Sequence, residues 1–195
     1  MKKLIFLVII AALGGCGAKP LNTHNGGFNI VAFGDSLTAG YNVSAAQAFP
    51  ALLQDMAGRP VINLGVSGDS ARMGADRKEE IRRHNPFMVL IQFGGNDAMR
   101  RKPLDETKAA IEEIVDFVQK LGAIAVIVDT GGGFKMSPYT KMMKQIAAEK
   151  RAVFVPGIMD GILHKPQLKS DAIHPNAEGY RLIAGKVFKG IKPYL

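Results

Sequence analysis

From residue 28 onward, short apolar runs alternate with longer stretches in which apolar and polar positions recur at helical spacing. The runs at 28–33, 61–64, 87–93, 124–128 and 152–155 are near-continuous rather than alternating, broken only by Asn29, Asn63 and Gln92, as in strands buried on both faces. Between and after them the pattern predicts helices near 47–57, 71–84, 105–121, 138–149 and 176–189. The clearest, 105–121, places Ile111, Ile114, Val115 and Val118 on one face and Glu112, Glu113 and Asp116 elsewhere. Strands alternating with helices predict an α/β domain with a parallel sheet covered on both faces. In such sheets ligands bind beyond the carboxyl ends of the strands.

The first residues follow another pattern. Lys2 and Lys3 precede an apolar run that ends in Leu13-Gly14-Gly15-Cys16, too short to span a bilayer permanently. A basic start, a short apolar stretch and small residues before a cleavage point mark 1–15 as an export signal. Leu13-Gly14-Gly15-Cys16 resembles a bacterial lipobox, and Cys16, the only cysteine, is then the expected lipidation site. Residues 16–27, rich in Gly, Asn and Thr, lack periodicity and read as a flexible tether, with the domain expected over 28–195. Export with lipid anchoring to a bacterial membrane, the outer one in a Gram-negative cell, is the expected location.

A length of 195 residues suits one domain with its own core, expected as a monomer. The formal charge of +8 becomes +6 once Lys2 and Lys3 leave with the signal. A positive surface suits anionic headgroups or cell-wall polymers. Basic runs interleaved with aromatics are absent, so no nucleic-acid partner is expected.

The candidate chemistry lies just after the strands. Gly34-Asp35-Ser36 follows the first run, and a serine there sits at a helix start, where free N–H groups favour negative charge. Alone, such a tripeptide reads equally well as a helix cap, and Gly68-Asp69-Ser70 repeats it. Gly94-Gly95-Asn96-Asp97 follows the third run, and Asp171-Ala172-Ile173-His174 precedes the last helix. Singly these too read as caps, a tight turn or a surface ion pair. Together they supply the four things ester hydrolysis needs: a hydroxyl nucleophile, a base, a carboxylate that orients the base, and oxyanion donors.

These blocks, Gly34-Asp35-Ser36, Gly68, Gly94-Gly95-Asn96-Asp97 and Asp171-x-x-His174, resemble those of the SGNH/GDSL hydrolases, in their thioesterase, lysophospholipase and arylesterase branch. The likeness runs in order from about Ile30 to the C-terminus. It implies a flavodoxin-like three-layer α/β/α sandwich with a five-stranded parallel sheet. It also implies Ser36 as nucleophile, His174 as base and Asp171 as the residue orienting it, with the Ser36 N–H, the Gly68 N–H and the Asn96 amide as oxyanion donors. The loops at 98–102 and 131–139 would flank the acyl group, with Met99, Phe134 and Met136 as candidate lining.

Other chemistries find less support. No Gly-x-Ser-x-Gly elbow occurs, the run 179–186 has one residue too many for a phosphate loop, and no metal-ligand cluster or cofactor motif is present, so no cofactor is expected. The expected activity is hydrolysis of short- to medium-chain carboxylic esters, with a small ester or lipid as substrate. Removal of O-acetyl groups from cell-wall or surface polysaccharide, and non-catalytic binding of a glycan or lipid, are the alternatives.

Overall fold

The computed structural model describes residues 19–133 and 136–195. The predicted signal, Cys16 and Phe134 lie outside them. Five strands form one parallel sheet: β1 Asn29–Gly34, β2 Val61–Gly65, β3 Pro86–Gln92, β4 Ile124–Val128 and β5 Val153–Val155, in the order β2-β1-β3-β4-β5. Among the described residues seven α-helices accompany them: α1 Ser36–Ala39, α2 Phe49–Ala57, α3 Ala71–Asp76, α4 Gly95–Met99, α5 Leu104–Lys120, α6 Ser137–Glu149 and α7 Ala177–Ile191.

The continuous apolar runs are explained by two separate cores. On one face Ile30, Ala32, Met88, Leu90 and Val126 pack with α2 and α7; on the other Val31, Phe33, Val89, Ile91 and Ile127 pack with α3, α5 and α6. Successive residues of a strand point to opposite faces, so both must be apolar when both are covered. The expected three-layer α/β/α sandwich is thus the fold observed.

Two helices differ from the periodicity. The stretch 71–84 is not one helix: α3 stops at Asp76, and Lys78–His84 continues as a tighter 3-10 helix. The break falls at Arg77, whose side chain turns inward to Asp69 and the Gly34 carbonyl instead of following the helix surface. The expected start at 47 also moves: Ala45–Gln47 is a 3-10 turn, and α2 begins at Phe49 with Pro50 in its first turn, where a missing N–H costs nothing.

The tether reading is corrected for residues 19–27, which are held against the domain. Arg151 donates to the Lys19 carbonyl (3.0 Å) and accepts from the Leu21 N–H (3.0 Å). The Asn22 amide bonds the carbonyls of Gln119 (2.9 Å) and Ala123 (3.0 Å), and that of Asn25 reaches Phe87 (3.1 Å). Arg151, Ala123 and Phe87 stand at the beginnings of β5, β4 and β3. The segment therefore crosses beneath three strands as a strap before entering β1. Its asparagines mimic the backbone, pairing carbonyls just before β4 and at the start of β3.

Asn22→Ala should lower stability by about 1–2 kcal/mol, the worth of two partly buried hydrogen bonds, read as a shift in the urea midpoint. A freely moving tether would show no shift.

Candidate active site

β1 ends at Gly34, where a Cβ would fall 2.2 Å from the Thr38 hydroxyl and 2.5 Å from the Gln92 carbonyl. Only glycine lets the chain fold this tightly against the end of β3. Asp35 then caps α1, its Oδ1 accepting the Leu37 N–H at 3.0 Å, and Ser36 is the first helical residue. The Ser36 N–H, with no partner one turn back, points out of the helix start. α1 closes after one turn at Gly40, which adopts a left-handed backbone and donates to the Ser36 carbonyl (3.1 Å).

The loop before α7 brings His174 to the serine. His174 Nε2 lies 3.0 Å from Ser36 Oγ, and its Nδ1 lies 2.7 Å from Asp171 Oδ2. With the carboxylate on Nδ1, the ring carries its proton there and presents Nε2 to the hydroxyl as acceptor. Asp171 Oδ1 accepts the N–H groups of Ile173 (2.9 Å) and His174 (2.8 Å), so carboxylate and ring form one rigid unit. Desolvation pushes the Asp171 carboxyl up, but the N–H groups of His174 and Ile173, then the ring itself, outweigh it and hold it at about 2. It is ionised at any ordinary pH.

Two neighbours were not legible as site residues. Asn42 donates to Asp171 Oδ2 (3.1 Å), and the Tyr41 ring stacks tilted on His174 with centroids 4.5 Å apart. Both leave α1 through a turn more than 120 residues away in sequence, and no local pattern connects them to the histidine.

The predicted oxyanion donors are gathered by buried polar contacts. Asn96, in α4, donates through Nδ2 to the Asp69 carbonyl (2.9 Å), which places it beside the turn holding Gly68. Gly68 has φ +89°, and its N–H bonds no other described residue. Arg77 joins the Asp69 carboxylate (2.7 Å) to the Gly34 carbonyl (3.1 Å), coupling the Gly68 turn to the Ser36 turn. Asp97 accepts the Ala71 N–H (3.0 Å) and the Thr107 hydroxyl (3.1 Å), fixing α4 against α3 and α5.

A cavity of about 800 Å³ opens beside the serine, lined by Ser36, Asn96 and His174 with an otherwise mostly apolar wall. Of the candidate acyl-contact residues, Met99 and Met136 line it and Phe134 lies outside the described residues. Gly68 is not part of the lining; its carbonyl accepts from Arg100 (2.9 Å) at the edge. Tyr139, Ile173 and Arg101 also line the cavity and were not singled out from sequence.

The model of the GDSL-like lipase/acylhydrolase family matches residues 32–182. The thioesterase 1/protease 1/lysophospholipase L1 of Escherichia coli K12 is 30% identical over 173 residues, 84% of this chain and 83% of the relative. An arylesterase of Vibrio mimicus is 27% identical over 178 residues, covering 85% and 89%. Among solved structures, the esterase EstA from Pseudoalteromonas sp., inhibited by monoethylphosphonate, superposes with a TM-score of 0.78 at 25% identity, over 85% of this chain and 97% of that one. The crystal structure of TesA gives 0.80 at 22% identity, over 86% and 99%.

Beneath the serine, burial pushes the Asp35 carboxyl up from 3.8 to about 7, against the hydrogen bonds of Leu37 and Gln92. The folded state therefore keeps a proton that the unfolded chain loses between those values. Its contribution to stability is complete below about 4 and lost as pH rises through about 7. Asp35→Asn keeps the cap acceptor and should erase this slope. Urea midpoints of wild type and variant should diverge, wild type falling, between about pH 4 and 7; a constant difference would refute the assignment.

Proposed function

The chain belongs to the GDSL-like lipase/acylhydrolase family and is a hydrolase of the SGNH esterase type, and from that premise we propose that Ser36, His174 and Asp171 hydrolyse short- to medium-chain carboxylic esters. The observation that carries this reading is the continuous line Ser36 Oγ, His174 Nε2, His174 Nδ1, Asp171 Oδ2, with steps of 3.0 and 2.7 Å.

The geometry supports the following chemistry. Ser36 Oγ attacks the ester carbonyl as its proton passes to His174 Nε2, and Asp171 stabilises the imidazolium. The Ser36 N–H, the Gly68 N–H and the second N–H of the Asn96 amide receive the oxyanion, none being committed to another described residue. The proton returns from His174 to the departing alcohol, leaving an acyl-serine. Water then attacks this ester as His174 takes its proton, and that proton passes on to Ser36 Oγ as the acid departs, restoring the free hydroxyl and the neutral ring. Met99 and Met136, flexible and apolar, would cover the acyl chain.

Soluble protein beginning at Gly17 should turn over p-nitrophenyl acetate, butyrate or octanoate, and Ser36→Ala should lower kcat by about 10⁴-fold or more. Equal activity in the variant would remove Ser36 from the mechanism.

We also propose export and lipid attachment at Cys16, supported by Leu13-Gly14-Gly15-Cys16. In cells, Cys16→Ser should leave the precursor uncleaved and unlabelled by radioactive palmitate; a variant processed and membrane-bound like wild type would end this reading.

A further inference from the structure

Resting on the esterase reading, the geometry points to Arg101 as a subsite that selects esters carrying an anionic group, a carboxylate or a phosphate, on the portion lodged in the cavity. Apart from His174, Arg101 is the only basic residue lining the cavity among the described residues, near apolar neighbours such as Met99, Met136 and Ile173. Arg101 is exposed, so beside a neutral ester its guanidinium is partnered by water alone, whereas an anionic group would add a charge-assisted pair.

The neighbouring basic groups are occupied. Arg100 donates to the Gly68 carbonyl at 2.9 Å, and Lys102 pairs with Glu106 at 3.4 Å. The Arg101 side chain forms no hydrogen bond or ion pair with any described residue. Asp35 is the only carboxylate lining the cavity among the described residues, and it lies buried under the α1 turn rather than on the wall that Arg101 shares with Met99. Asp97 is committed to Ala71 and Thr107, and Asp160 to the Gly132 N–H.

The backbone supports the same conclusion. Arg101 has φ +53°, a left-handed conformation unfavourable for a side chain of this size. It is held there by its own N–H on the Ala98 carbonyl (3.2 Å) and by the Lys102 N–H on the Asp97 carbonyl (2.9 Å). The guanidinium thus leaves from a fixed bend at the end of α4, the helix that carries Asn96. Glycine would meet the backbone requirement more cheaply; arginine adds a fork of donors matched to a carboxylate or phosphate.

The test compares p-nitrophenyl alkanoates with esters of the same acyl length ending in a carboxylate or a phosphonate, across a series of chain lengths. At one or more lengths the anionic-to-neutral ratio of kcat/KM should fall about tenfold in Arg101→Gln, mainly through KM, as expected when a charge-assisted pair outside the reacting centre is lost. Arg101→Lys should restore part of the ratio, and added salt should compress it in wild type. The ending that gains identifies carboxylate or phosphate as the group recognised. A ratio equal in wild type and Arg101→Gln at every length, or loss of both ester classes together, would overturn the subsite. Absence of Ser36-dependent turnover of the neutral esters would instead overturn the esterase reading beneath it.

Discussion

The hydrogen-bonded pairing of β1 with β3, two strands not consecutive in the chain, organises everything else. On one side of β1 the chain winds out to β2, and on the other it winds through β3 to β4 and β5. The connections leaving β1 and β3 at their carboxyl ends therefore diverge to opposite faces and leave a crevice between them. Ser36 leaves β1 at this point, Asn96 follows β3, and the Gly68 turn follows β2. The register Gly34 opposite Gln92 brings the Ser36 turn level with the loop that carries Asn96.

A crevice built from loops needs fixing, and buried polar groups do this. Arg77 spans the Gly34 carbonyl and Asp69, Asn96 holds the Asp69 carbonyl, and Asp97 holds the first N–H of α3. No buried side-chain nitrogen or oxygen among the described residues lacks a partner. Such a network strongly penalises partial loosening, because each broken contact strands a polar atom in a dry environment. The polar groups around the crevice are thus oriented before any substrate arrives.

How much of this was legible depends on whether the signal was local. The strands were, because burial on both faces forces runs such as Phe87 to Ile91 to be apolar throughout. The blocks around Ser36, Asn96 and His174 were, because each is a short turn at an element boundary with a distinctive composition. Arg77 was not: at the surface of a helix an arginine looks the same whether it faces water or folds back on Asp69. Asn42 and Arg101 were equally silent, their meaning arising from contacts with remote residues or from a backbone bend. The asparagines at 22 and 25 misled for the same reason, since a residue that imitates the backbone in a structured strap has the composition of a loop.

That strap determines how the domain is presented. It passes under the amino-terminal ends of β5, β4 and β3, while the mouth of the cavity opens beyond their carboxyl ends. The eighteen preceding residues join the domain at Lys19, on the opposite pole. A pull transmitted along the chain from that side loads the Arg151 and Asn22 contacts first and leaves the crevice unstrained. Were the N-terminus fixed to a surface, the molecule would stand with its mouth turned outward, reaching material arriving from solution sooner than the surface that holds it.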